Sequence, residues 1–102
     1  MNIQDLFTQA RDFQGKMERL QQELADKTVE AESGAGMVRV TVNGRGDVLR
    51  LHIEPQLIRP DEGTMLEELV MAAVNEGLRR SRELAQREMA GLTGGMRIPG
   101  LN

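Results

Sequence analysis

The sequence of 102 residues predicts an α+β fold with the element order α-β-β-β-α, because its hydrophobic period changes twice. Apolar residues recur every three or four positions in residues 3–24 and again from residue 66 onward. Between these segments, in residues 29–53, they alternate with polar residues. The outer patterns are typical of amphipathic helices and the middle one of half-buried strands. We therefore expect two long helices and a three-stranded antiparallel sheet.

The first helix is predicted from an unbroken 3,4 spacing of apolar residues between Ile3 and Leu24. This spacing forms a heptad seam, which buries a narrow stripe against a partner helix. Gly15 interrupts the segment at a cost of about 1 kcal/mol relative to alanine, so the helix needs tertiary support. The seam residues expected in the core or in a dimer interface are Leu6, Phe13, Met17, Leu20 and Leu24.

Three short strands are predicted in the middle of the chain, where Gly-rich turns at residues 33–36 and 43–47 separate the alternating segments. Short turns between consecutive strands indicate an antiparallel meander. The face expected to pack carries Val29, Ala31, Val38, Val40, Val42, Leu49, Leu51 and Ile53. The other face is polar, and we expect it to meet water or another chain.

The second helix is predicted to begin at Thr64, which forms a capping box with Glu67 ahead of a periodic apolar stretch. Leu66, Ala73 and Leu84 fall on its apolar face. Residues 1–90 are therefore interpreted as a single domain. Residues 91–102, which hold four glycines and a proline, are interpreted as a flexible C-terminal tail.

Both helices are longer than so small a sheet can cover, and the composition offers little large apolar surface for a monomer. Only 39% of the residues are hydrophobic and 2% are aromatic. A two-fold homodimer is the simplest way to bury what one chain leaves exposed.

The residue inventory argues against catalysis. The chain has no cysteine, and His52 is its one histidine, so neither a thiolate nucleophile nor a histidine-based triad or metal site is available within it. We expect no enzyme activity, no cofactor, no metal and no small-molecule substrate. The sequence also shows neither a signal peptide nor an apolar stretch near the ~20 residues of a membrane span. These features predict a cytoplasmic protein without a membrane partner.

The net charge of -3 argues against a nucleic-acid partner, but the charges are unevenly distributed. Residues 61–76 carry five acidic side chains and no basic one, whereas residues 77–97 carry five arginines against two glutamates. Complementarity with the helix dipole explains part of this asymmetry. Surface ion pairs are the alternative for Arg80 and Arg87, which follow Glu76 and Glu83 by four residues.

Several ordered segments resemble the YbaB/EbfC family of bacterial nucleoid-associated proteins. The resemblance covers nearly the whole chain, and it is the order and spacing of the set that make it specific. The segments are Gln14-Gly15-Lys16-Met17, Gln21-Gln22-Glu23-Leu24, Val29 to Gly36, Val38-x-Val40-x-Val42-Asn43-Gly44, Glu54-Pro55, Leu66-Glu67-Glu68-Leu69, Ala72-Ala73-Val74-Asn75, Leu92-Thr93-Gly94-Gly95 and Ile98-Pro99-Gly100.

The resemblance implies a tweezer-shaped homodimer that binds double-stranded DNA with weak or variable sequence preference through its outer helices. Lys16, Arg79 and Arg80 match basic positions of those helices. The chain departs from the family pattern at Gly15, at Glu54 in place of Asp, and at Glu76-Gly77 in place of Asp-Ala. Arg82 stands where an acidic residue is common, which adds to the basic patch.

Charge asymmetry and resemblance together predict a nucleoid-associated dimer that contacts DNA phosphates rather than base edges. The residues expected to make these contacts are Arg11, Lys16, Arg19, Arg79, Arg80 and Arg82. The alternative function is a dimeric protein–protein adaptor that docks a partner on its heptad helix. The acidic pI of about 5.2 favours this alternative.

Overall fold

The computed structural model describes residues 2–93 and confirms the α-β-β-β-α order. Its elements are α1 (Ile3–Asp26), β1 (Thr28–Ser33), β2 (Val38–Asn43), β3 (Val48–Ile53) and α2 (Gly63–Thr93), with 3-10 turns at Pro55–Leu57 and Pro60–Glu62. Helix α2 thus includes residues 91–93, which the sequence assigns to the tail. The remainder of the predicted tail lies outside the described residues.

The two helices begin in different ways. Asn2 caps α1, because its Oδ1 accepts a hydrogen bond of 2.9 Å from the Asp5 amide. The predicted N-cap of α2 at Thr64 is wrong. Gly63 has helical backbone angles and continues the turn at Pro60–Glu62 directly into the helix. Thr64 therefore lies inside the first turn instead of at the extended position that a cap requires.

The three strands form the predicted antiparallel meander in the order β1-β2-β3. Ala31 pairs with Val40 across the first hairpin, and Val40 pairs with Leu51 across the second. The register shifts between Thr41 and Val42, so Leu49 is the extra residue of a β-bulge. This irregularity bends β3 relative to β2.

The main core lies between the sheet and α2, which packs mostly on β1 and β2. A Cβ added at Gly77 would lie 2.7 Å from Cγ2 of Val42 and 2.9 Å from Cγ2 of Val40. The absence of a side chain at Gly77 therefore lets the helix approach β2 closely. The fully packed residues of this core are Ala31, Val38, Val40, Val42, Leu57 and Ala73.

Strand β3 extends past the area that α2 covers. Ile53 packs against the core, but Leu49 is 56% exposed and Leu51 is 45% exposed. The expectation that these two leucines pack with Val40 and Val42 is wrong within one chain, because α2 lies over the neighbouring strands. The protein thus presents an apolar surface on its outermost strand.

A hydrogen-bonded hub at the end of β2 joins both helices to the sheet. The Asn43 side chain is buried and its Nδ2 donates to the Ala25 carbonyl of α1 at 3.3 Å. The Ser81 hydroxyl of α2 donates to the Asn43 carbonyl at 2.7 Å. The Gly44 amide donates to the Leu24 carbonyl at 2.8 Å. These bonds fix the directions in which the two helices leave the sheet.

Beyond the hub, α1 and α2 pack against each other through a second cluster of Leu20, Leu24 and Leu84, with Met17 and Leu92 at its margin. Three of the five predicted seam residues thus contact α2 within the chain. Leu6 and Phe13, farther toward the N-terminus of α1, are exposed.

Candidate nucleic-acid interface

Arg79 is held by two carboxylates on its own helix. Its Nε donates to Glu76 at 3.0 Å, and its two terminal nitrogens bond Glu76 and Glu83. The hydrogen bond from Arg79, with a second from Arg80, lowers the pKa of Glu76 from 4.5 to about 2. The pKa of Arg79 is raised, chiefly by its hydrogen bond to Glu76. An incoming phosphate would have to compete with both glutamates for this guanidinium.

Arg80 points to the sheet instead of to the outer side of α2. Its Nε lies 3.0 Å from Glu76, and its Nη1 donates to the Glu30 carbonyl of β1 at 2.5 Å. The ion pair expected from the i,i+4 spacing is present here. The equivalent pair of Arg87 with Glu83 is not formed among residues 2–93, where Glu83 pairs with Arg79 instead.

Arg82 is exposed and forms no ion pair within the described part of the chain. It lies three residues from Arg79, about 60° around the helix, so both project from the side opposite Ala73 and Leu84. Arg82 is therefore the arginine on the outer side of α2 whose guanidinium is open to an external anion.

The three basic candidates of α1 are exposed, and none is ion-paired within residues 2–93. Lys16 and Arg19 line a groove of about 380 Å³ between the two helices, together with Glu23, Glu88 and Leu92 among others. Arg11 precedes Lys16 by five residues, which places it about 140° away around the helix. The structure thus brings Lys16 and Arg19 together but leaves Arg11 on another side.

The polar face of the sheet carries basic residues that the sequence analysis did not include among the DNA contacts. Arg39 and His52 share the Glu54 carboxylate, at 3.6 Å and 3.4 Å, and Arg50 has no ion pair among the described residues. They line a cavity of about 580 Å³ with Glu30 and others. The alternation of residues along the strands places these three side chains on one face of the sheet. The sequence pattern alone could therefore have identified this group of basic residues.

Residues 2–93 contain no group of three or more His, Cys, Asp or Glu side chains arranged to hold a metal ion. Neither helix in that range is long and apolar enough to span a bilayer.

The fold is shared with a solved structure, that of the uncharacterized protein HP0035 from Helicobacter pylori. The TM-score is 0.83, with 23% sequence identity over 92% of this chain and 99% of that one. At this identity the similarity concerns the fold alone.

Sequence comparison finds much nearer relatives. The nucleoid-associated protein DP1429 of Desulfotalea psychrophila is 50% identical over 101 residues, covering 99% of this chain and 95% of its own. A nucleoid-associated protein of Syntrophobacter fumaroxidans is 52% identical over 93 residues, covering 91% of this chain and 84% of its own. The model of the YbaB/EbfC DNA-binding family matches residues 1–96. The chain therefore belongs to the YbaB/EbfC DNA-binding family.

Proposed function

We propose that this protein binds double-stranded DNA as a homodimer, through phosphates and with low sequence preference. Family membership supports DNA as the ligand. The relatives are named nucleoid-associated proteins, which supports a cytoplasmic, nucleoid-associated location. An effect on nucleoid organisation and gene expression is part of this proposal. The observation that supports the phosphate contacts is that Arg82 on α2, and Lys16 and Arg19 on α1, are exposed cations with no ion-pair partner among residues 2–93.

The six proposed contacts are not equivalent. A cation without an internal partner loses only its hydration and counterions when it meets a phosphate, whereas Arg79 and Arg80 must also give up carboxylates. Arg82, Lys16, Arg19 and Arg11 should therefore contribute more to binding than Arg79 and Arg80. Arg80 has the further task of holding α2 on β1.

The apolar surface of β3 supports the homodimer. Val48, Leu49 and Leu51 are all exposed there, and β3 is an edge strand whose outer edge no strand of this sheet pairs. Exposed apolar edge strands are typical sites of association between chains. A two-fold pairing at β3 would bury the three side chains of both protomers and leave the two helix pairs pointing away from the interface.

The test is fluorescence anisotropy of a labelled duplex, titrated at several salt concentrations with the parent protein, Arg82→Glu and Arg45→Glu. Arg45 is the matched control, since it is an exposed arginine without an ion pair among residues 2–93 and lies in the hairpin turn. Each neutralised phosphate contributes about 0.9 to the slope of log affinity against log salt. Arg82→Glu should flatten the slope by about two units per dimer, and Arg45→Glu should leave it nearly unchanged.

Equal effects of the two substitutions would place the DNA on another surface. A parent protein without salt-dependent binding would contradict the proposal and favour the protein–protein adaptor. The adaptor function is supported by the exposure of three apolar residues along α1, namely Leu6, Phe7 and Phe13.

A further inference from the structure

The N-terminal half of α1 carries an apolar stripe that α2 does not cover. The exposed fraction is 46% at Phe13, 53% at Leu6, 65% at Phe7 and 69% at Ile3. Both phenylalanines, which are the only aromatic residues of the chain, lie in this stripe. We call this surface the α1 stripe, and it consists of Ile3, Leu6, Phe7, Ala10 and Phe13.

No charged side chain lies on the α1 stripe or directly beside it. Within residues 3–13, the heptad positions that flank the seam are occupied by Phe7 and Gln9. The charged residues of this segment project from positions farther around the helix, and they are Asp5, Arg11 and Asp12. A second copy of the stripe therefore meets no like charge at the seam, whereas a charged partner finds no opposite charge there.

We propose that the α1 stripe binds the same stripe of a second copy, with the two helices antiparallel. The seam continues at Leu20 and Leu24, where α2 already covers it. In a parallel pair, both copies of α2 would lie between the two α1 helices and hold them apart. In an antiparallel pair only the uncovered halves overlap, and the two sheets lie at opposite ends of the pair.

One antiparallel register pairs only uncovered residues. It places Leu6 against Ala10 of the second copy and Ile3 against Phe13 of the second copy, and the two-fold axis repeats both contacts. Phe7 lies beside the axis and meets Phe7 of the second copy, so the register also covers this flanking aromatic ring. Gln9 faces Gln9 of the second copy on the other flank. Every residue of the α1 stripe thus has a partner.

The contact is short, because the paired residues extend only about 15 Å along each helix. A shift by one heptad would lengthen the overlap, but it would bring Ile3 level with Leu20, which α2 covers. A contact of this length is smaller than a standard protein–protein interface, so the pair dissociates in dilute solution and forms at high local concentration. In the homodimer proposed above, each assembly carries two stripes, so pairing links neighbouring assemblies. That consequence rests on the proposed function, whereas the pairing itself does not.

Two single-cysteine variants test the register when they are mixed, since the chain has no cysteine of its own. Protein carrying Ile3→Cys is mixed at high concentration with protein carrying Phe13→Cys and oxidised mildly. The control mixture contains Asp12→Cys in place of Phe13→Cys, because Asp12 is exposed and projects about 100° away around the helix. The mixed disulfide should form at least ten times faster in the test mixture than in the control, and faster than a disulfide within either variant alone.

Three results would overturn the proposal. Equal rates in the two mixtures would show that the stripes do not pair. Faster cross-linking of each variant with itself would indicate parallel helices. The third concerns the Leu51→Lys background, in which the β3 surface proposed for the homodimer carries a charge. The mixed disulfide should persist in this background, and its loss would show that α1 is covered inside a β3 dimer instead.

Sedimentation equilibrium of the Leu51→Lys protein measures the pairing without cysteines. Adding Phe7→Gln and Phe13→Gln should lower its self-association constant at least tenfold. The control adds Ile58→Gln and Met71→Gln, which change exposed apolar residues outside α1 and should leave the constant unchanged. The pairing should also survive high salt, because the stripe is uncharged, whereas binding to duplex DNA should weaken. The two proposals can therefore fail separately. An unchanged association constant in the phenylalanine variant would contradict the pairing.

Discussion

Individual glycines show how single side chains decide the geometry of this protein. A Cβ at Gly44 would lie 2.9 Å from the Leu24 carbonyl oxygen and 2.8 Å from Cδ2 of Leu24. A Cβ at Gly15 would meet nothing within 4 Å. Gly44 therefore sets how closely the β2–β3 turn approaches α1, whereas Gly15 only lowers the stability of its helix.

Alanine at these two positions should change stability in opposite directions. Gly44→Ala forces α1 away from the turn and strains the bond to the Leu24 carbonyl, so it should destabilise the protein by about 1–3 kcal/mol. Gly15→Ala removes the backbone entropy cost at a spacious helical site and should stabilise it by up to about 1 kcal/mol. Urea denaturation followed by circular dichroism measures both. A stabilising Gly44→Ala would contradict the close approach.

Glu76 is predicted to restrain DNA binding. Its pKa of about 2 keeps the carboxylate ionised at every pH at which the protein is usefully assayed, so its pairs with Arg79 and Arg80 persist. Their contribution to stability is full above the ordinary pKa of 4.5 and is lost as the pH falls toward 2. Glu76→Gln should leave Arg79 with the single carboxylate of Glu83 and Arg80 with none, and it should raise duplex affinity about threefold to tenfold at moderate salt.

The control for Glu76→Gln is Glu67→Gln, which removes the same charge from an exposed position of α2 that has no ion pair among residues 2–93. Anisotropy titrations of both variants separate the release of arginines from a general charge effect. If the two variants bind DNA equally, the ion pairs of Glu76 do not limit binding.

At the scale of elements, the sequence predicts the order and type of each helix and strand because the hydrophobic period is a local property. Which other element packs over a strand or helix is not a local property, because it depends on residues far away in the sequence. Leu51 has the same alternation as Val40, yet α2 covers Val40 and not Leu51. Likewise, the i,i+4 spacing of Glu76 and Arg80 predicts their ion pair. The spacing does not predict that Arg79 bonds both Glu76 and Glu83, because that arrangement depends on side-chain rotamers.

The exposed surface of β3 gives the element-scale prediction. Leu51→Lys should convert the proposed homodimer to a monomer, because a lysine at the centre of a β3 interface would be buried without a partner. Met71→Lys is the control, since Met71 is a similarly exposed apolar residue on α2. Light scattering after size exclusion should give a mass near 11.4 kDa for Leu51→Lys and near twice that for the parent and the control. A Leu51→Lys variant that stays dimeric would place the interface elsewhere.

The whole molecule is elongated, with a longest dimension of 69 Å, because both helices leave the sheet on the same side of the Asn43 hub. A net charge of -3 gives it no long-range attraction to DNA. In the proposed function, affinity therefore comes from local cations, and the proposed dimer presents each of them twice. The number of phosphate contacts per assembly is the quantity to measure.

The salt dependence of binding should consequently follow the oligomeric state. If a dimer engages about six phosphates, log affinity should fall with log salt at a slope of roughly -5, and the monomeric Leu51→Lys variant should show about half that slope. Arg82→Glu should flatten the slope while leaving the dimer intact, so the two variants separate loss of contacts from loss of a protomer. Competition by unrelated duplexes should be nearly as effective as competition by the labelled sequence, since phosphates carry no sequence information. A monomeric variant with the parental slope would show that one protomer holds the complete DNA-binding surface.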